Sequence, residues 1–401
     1  MSHIFAHRLK GIPAPATIEM ARCTRALKAK GCDVISLALG EPDFPTPPIA
    51  IEAAYTAARA GQTRYPPVEG VPLLKEAIMR KFARENQLHY SFDEVMVSNG
   101  GKQVIFNAFM ATLNAGDEVV IPAPYWVSYP LIAQMFGAVP VFVPCREEDG
   151  FHLRAEALAE VLTPRTRWVV LNFPNNPTGA VCHAEELKAI AEVLSDYQDI
   201  WILSDEIYEY LVSDGKRSFS IASIAPDLKE RTLTVNGVSK AYAMTGWRVG
   251  FAGGPAELIS AMRCLQGNAT SGVCSVAQAA AAAVLDGSRE TVDHMVSVYN
   301  RRRKMVVEAL RAIPALTCAM PEGAFYAYPG IAQCLGRTTP KGRVLKTDHD
   351  FAMALLEEAF VATVPGSAFG FSPHLRLSCA TSEEALQEAC RRIATFVDRL
   401  Q

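Results

Sequence analysis

From about residue 95 to residue 254 the chain alternates short, nearly continuous apolar runs with longer stretches of helical period. The runs read EVMVS, DEVVIP, VPVFVP, RWVVLNF, IWILSD, LTVNG and RVGFAGG. Among the stretches between them, GKQVIFNAFMATL and AEELKAIAEVLSDY repeat apolar residues three and four apart, the spacing of one helix face. Apolar runs too continuous for a half-solvated face predict strands covered on both sides. Strands separated by helices predict a doubly wound α/β sheet.

In such sheets ligands sit beyond the carboxyl ends of the strands. Polar residues gather at those ends: Asn99 to Lys102, Asn175 with Asn176, Asp205, and Ser239 with Lys240. After about residue 305 the pattern changes to a helix (RRRKMVVEALRAI), then GAFYAYP, a helix near FAMALLEEA, LRLSCA and a closing helix. That order predicts a second, α+β domain. VAQAAAAAVL, from Val276, reads as a buried helix, and residues 338–348 as a solvated loop.

Composition narrows the function. Half of the 401 residues are hydrophobic and the net charge is −3, so no basic excess favours nucleic acid or an anionic membrane. The opening MSHIFAHRLKGIPAP lacks the apolar core of a secretion signal, and no run approaches the roughly 20 apolar residues of a membrane helix. A cytoplasmic protein is expected. Ten scattered cysteines without a C-x-x-C pair read as reduced core thiols, not a disulfide frame or zinc site. No metal centre is expected.

The candidate chemistry centres on Lys240, an amine between two apolar strands. Desolvation beside other cations lowers a lysine's pKa and makes it a nucleophile. Arg248 supplies a fixed cation for a phosphate. Gly100–Gly101 opens a helix after a strand, which suits either a phosphate or an ordinary tight turn. It matches neither the dinucleotide fingerprint nor the P-loop. Asp205, ending an apolar strand, either caps the next turn or faces a protonated ring nitrogen, with Tyr208 in reach of the same ligand. Asn175 and Asn176, in NFPNNPTG, are neutral donors for a ring oxygen. Strand alternation puts Arg376 and Ser378 on the face opposite Leu375 and Leu377, for either a surface ion pair or a carboxylate clamp.

Nine segments in order resemble the class I aminotransferases, pyridoxal-phosphate enzymes of fold type I. They are SLALGEPDFPTP, TRYPPVEGVPLLKEAI, VSNGGKQ, PAPYWVSYP, NFPNNPTGAV, SDEIYE, SKAYAMTGWRVGF, PEGAFYAYP and LRLSCATS. Within the family the chain looks most like bacterial aspartate and aspartate–prephenate aminotransferases. The resemblance implies a seven-stranded, mostly parallel sheet domain over residues 46–305, and a smaller domain from residues 1–45 with 306–401. It implies pyridoxal 5′-phosphate held by Lys240 as a Schiff base, by Asp205 at the ring nitrogen, and by Tyr208 with Asn176 at the phenolic oxygen. Tyr125 would stack on the ring. Gly100, Gly101, Lys102, Ser239 and Arg248 would surround the phosphate. Tyr65 would reach the phosphate of a neighbouring subunit in a homodimer with shared sites. Gly40, Trp126, Asn176, Arg376, Lys102 and Thr17 would contact amino-acid and 2-oxo-acid substrates, Arg376 at the α-carboxylate and Lys102 at the distal one.

Two departures bear on this. Gly237 replaces a phosphate-binding serine of the Ser-x-Ser-Lys pattern, and Pro13 stands where prephenate-active relatives carry a basic residue. The expected reaction is therefore ping-pong transfer from L-aspartate to 2-oxoglutarate. The alternatives are an aromatic, prephenate or broad-specificity aminotransferase and a carbon–sulfur lyase on the same fold. An effector-binding regulator fits poorly, because neither a spare N-terminal domain nor basic excess is apparent.

Overall fold

The computed structural model describes Ala6, Arg8 and residues 16–213 and 215–401, the side chains of residues 16 and 17 excepted. In chain order the described strands are β1 (Ile35–Ser36), β2 (Val95–Ser98), β3 (Glu118–Ala123), β4 (Val139–Pro144), β5 (Thr166–Asn172) and β6 (Trp201–Asp205). Then follow β7 (Thr232–Gly237), β8 (Gly250–Gly253), β9 (Tyr326–Ala327), β10 (Val361–Ala362), β11 (Val364–Pro365) and β12 (Leu375–Ser378).

Seven strands form one sheet in the order β2-β8-β7-β6-β5-β3-β4. Only β8 runs antiparallel to its neighbours, β2 and β7. Every residue of β2, β3, β7 and β8 is buried, which is why these strands read as continuous apolar runs. Alternate residues serve two cores. Trp168 and Val170 of β5 pack with the helices Gly101–Thr112 and Ala256–Ala269. Val169 and Leu171 pack on the other face with the helix Ala184–Ser195. Edge strand β4 leaves Val139 and Phe142 exposed.

The C-terminal part holds the antiparallel sheet β11-β12-β9, and β10 pairs in parallel with β1, tying residue 35 to residue 361. Its core lies beneath the helices Asp348–Ala359 and Glu383–Asp398. A single helix, Glu290–Arg311, runs through residue 305, because its apolar stripe serves one core with Val292 and another with Val306, Val307 and Leu310. The helix Ser275–Asp286 is buried, as its alanine run predicts. The cysteines are all unpaired, and six are buried. Cys264 and Cys274, however, are exposed and Cys23 and Cys32 half-buried, which corrects the expectation of core thiols throughout. Cys264 projects from the outer face of a helix whose inner face is carried by Leu258, Ile259 and Met262.

Candidate active site

A cavity of about 500 Å³ opens at the carboxyl ends of β5, β6 and β7. Asn172 and Asp205 reach it as the last residues of their strands. Ser239 and Lys240 follow β7, and Arg376 enters from β12 of the small sheet.

Lys240 faces this cavity and donates from Nζ to Gly40 O at 2.5 Å. Burial, then the positive field of Arg376, pulls its ammonium down to about 8. Gly40 is needed for the approach: a Cβ there would lie 2.5 Å from the Tyr326 hydroxyl.

Asp205 is buried, and burial pushes its carboxyl up to about 6. Two donors oppose that rise: the Tyr129 hydroxyl at 2.6 Å and the Ile207 amide at 3.3 Å. Tyr208 pairs its hydroxyl with that of Tyr326 at 2.8 Å, and burial raises its phenol too. An acid at a strand end thus becomes a held, dry carboxylate rather than a turn cap.

Arg376 is buried with its guanidinium pinned. Nη1 donates to Asn176 Oδ1 at 3.0 Å and Nη2 to Ala38 O at 2.6 Å, while Nε has no partner. The rings of Tyr326 and Phe369 lie 4.7 and 4.9 Å from its central carbon. A buried cation with an unused donor beside a cavity is poised for an anion.

A second cationic group stands where the helix Gly101–Thr112 begins. Arg248 donates to Thr245 O at 3.0 Å and Asn99 O at 3.2 Å. Gly100 lies under it with φ 84°, and a Cβ there would clash with Arg248 Nη2. Lys102 lies over the Trp126 ring at 5.0 Å, and burial, then Arg248, lowers its pKa. Gly101, Lys102 and Arg248 therefore offer backbone N–H groups and two cations to one end of the cavity.

The structure brings Lys240, Asp205, Tyr208, Gly101, Lys102, Asn176, Ser239, Arg248, Gly40, Trp126 and Arg376 to one cavity. It does not bring Tyr125. That ring stacks on Phe142 at 4.9 Å and packs against Gly370, while its neighbour Trp126 lines the cavity. Consecutive residues here point to opposite sides of the backbone. Asn175 also stays out: its amide staples its own turn, accepting from the Thr178 amide and hydroxyl at 3.1 and 2.9 Å. Tyr65 is 96% exposed. Pro13 and the Thr17 side chain lie outside the described residues. Sequence reasoning missed Tyr129, Tyr326, Glu41 and Asn172, which also line the cavity. Tyr129 had one signal, a phenol three residues after Trp126 at a helix start.

The family described as Aminotransferase class I and II matches residues 32–393. The chain belongs to this family. An aspartate/prephenate aminotransferase of Cereibacter sphaeroides is 50% identical to it over 95% of each chain. The solved aspartate aminotransferase of Rhizobium meliloti matches at 49% identity and TM-score 0.96, covering 99% of both chains. That of Thermus thermophilus with maleate matches at 41% identity and TM-score 0.92, covering 98% of this chain and 99% of the other. The seven-stranded α/β architecture is thus that of fold type I, as the resemblance implied. No described helix of this aminotransferase is long and apolar enough to cross a membrane.

Proposed function

We propose that this aminotransferase moves the amino group of L-aspartate, or a related dicarboxylic amino acid, to 2-oxoglutarate by a ping-pong sequence with pyridoxal 5′-phosphate. One observation carries the reading. Two held cations, Arg376 and Lys102, line the same cavity as the low-pKa amine of Lys240, one for each carboxylate of the substrate. The aspartate aminotransferase activity named for relatives near 50% identity and full coverage supports it.

The residues present fit the cofactor. The dry carboxylate of Asp205, the buried amine of Lys240, and Arg248 packed over Gly100, where a Cβ would not fit, suit a ring nitrogen, an aldehyde and a phosphate respectively. Bound there, pyridoxal phosphate supplies an aldehyde that takes the amino group and a ring that withdraws electrons from the substrate's Cα.

The chain's own residues do the rest. Asp205 would keep a proton on the ring nitrogen, and the Tyr129 hydroxyl holds its carboxylate in place for that task. Tyr208 and Asn176, which line the cavity, would donate to the ring oxygen, and Trp126 would cover the ring face. Ser239, Gly101 and Arg248, with Gly100 beneath, hold the phosphate. Arg376 orients the α-carboxylate and Lys102 the distal one. Gly40 gives the backbone room beside Lys240. The neutral amine of Lys240 would serve as the base that takes and carries the proton of Cα, a task suited to a pKa near 8.

The reading extends to a cytoplasmic homodimer with shared sites, in which Tyr65 reaches the neighbouring subunit's phosphate. The exposure of Tyr65, and of Ile49, Ile51 and Tyr55 on one helix, supports it. We also divide the chain into a cofactor domain, residues 46–305, and a smaller domain of residues 1–45 and 306–401, which the pairing of β1 with β10 supports. A second reading, amino transfer to prephenate, is supported by the activity named for the Cereibacter relative, and Pro13 argues against it.

The test is a steady-state assay of oxaloacetate formation. Turnover that requires both aspartate and 2-oxoglutarate, with parallel double-reciprocal plots, supports the proposal. Pyruvate release from cystathionine without a 2-oxo-acid acceptor overturns it in favour of a lyase.

A further inference from the structure

Away from the active site, four side chains converge at the seam between the sheet domain and the C-terminal segment. His152 follows β4, His183 and Glu186 open the helix Ala184–Ser195, and Glu322 precedes β9. One ligand atom each from His152, His183 and Glu186 lies within 4.8 Å of the others. The two imidazoles stack at 5.5 Å with 24° between their planes.

The carboxylates are each held by one oxygen and aimed with the other. Glu186 Oε2 accepts from the His183 amide at 2.7 Å, leaving Oε1 2.8 Å from His152 Nδ1. Glu322 Oε1 pairs with Lys216 Nζ at 3.0 Å, leaving Oε2 3.1 Å from His183 Nε2. His152 Nδ1 and Glu322 Oε2 are shielded from solvent, so each depends on its one ion-pair partner. Each imidazole is thus paired with one carboxylate and the two pairs lie side by side, so an ion between them would replace two ring protons and keep all four groups satisfied.

We propose that His152, His183, Glu186 and Glu322 form a site for one divalent transition-metal ion of the zinc class. Two imidazoles and two carboxylates without a thiolate suit zinc, nickel or cobalt better than magnesium or calcium. Tetrahedral zinc needs ligand atoms about 3.4 Å apart; those of His152, His183 and Glu186 already lie within 4.8 Å of one another, and Glu322 Oε2 lies 3.1 Å from His183 Nε2. Lys216 and the His183 amide act as the outer partners that orient the ligands.

The ion would also link two segments that shape the active site. Glu322 and Gly323 donate their amides to Gly179 O at 3.1 and 2.7 Å, joining the loop that carries Asn176 to the strand that carries Tyr326. A bound metal would tighten this seam without entering the catalytic cavity.

The test is calorimetric titration of the full chain, loaded with pyridoxal phosphate and freed of excess, with ZnCl2 and separately with NiCl2. Wild type is expected to bind one ion per chain saturably, and to melt at a higher temperature with zinc. His152→Ala and Glu322→Gln are each expected to weaken binding at least about tenfold. Both positions lie outside the proposed catalytic groups, and melting without metal verifies that each variant folds. Absence of saturable binding overturns the proposal. So does binding that survives in both variants, which would trace to the exposed thiols of Cys264 and Cys274.

Discussion

Tyr129 donates its hydroxyl proton to Asp205 Oδ2 at 2.6 Å, and both side chains are buried. A hydrogen bond to a charged acceptor is worth about 1.5–3 kcal/mol. Tyr129→Phe should therefore weaken cofactor retention about 10- to 100-fold. It should also push the Asp205 carboxyl above its present value of about 6, because the bond favours the ionised form. Equilibrium dialysis of pyridoxal phosphate, and an acid limb of kcat/KM displaced to higher pH, would register both effects.

Asp205 costs the cofactor-free fold stability. Its carboxyl stands at about 6 against an ordinary 3.8, so the folded chain binds the proton more readily than the unfolded one between those values. Stability then falls as pH rises through that window, and the full cost, about 3 kcal/mol, is present above pH 6. Cofactor-free Asp205→Asn should accordingly resist urea better than wild type at pH 7, the difference fading below pH 3.8. The same variant should be nearly inactive. An Asn variant less stable than wild type at pH 7 would contradict this account of the burial.

Arg376→Lys keeps the charge but loses the planar fork pinned by Asn176 and Ala38. The expected outcome is a KM for aspartate raised about 100-fold, with kcat changed much less. An unchanged KM would remove Arg376 from the α-carboxylate.

Lys102→Gln tests the substrate. Loss of a charged partner for the distal carboxylate should cut kcat/KM for aspartate about 10- to 100-fold and leave alanine nearly unaffected. Equal losses on both amino acids would assign Lys102 to the phosphate alone.

The sheet was legible because its strands are buried on both faces, so β2, β3, β5, β6 and β7 announce themselves as apolar runs ending in polar residues. Lys240, Asp205 and Arg376 stood out for the same reason, as charges in apolar surroundings. Tyr129 and Tyr326 did not, because an aromatic in an apolar segment looks like core until its hydroxyl's partner is known. Which of Tyr125 and Trp126 turns into the cavity was not legible, because spacing along the chain does not reveal which of two adjacent aromatics turns inward. The cluster of His152 with His183 left no motif, since its members come from three separate segments.

The most direct measurement mixes cofactor-loaded protein with L-aspartate and no acceptor, and follows oxaloacetate and the cofactor's absorbance together. The account predicts one equivalent of oxaloacetate per subunit, a matching spectral change that then stops, and neither in Lys240→Ala. Continuous product release without an acceptor, or the same burst in Lys240→Ala, would contradict it.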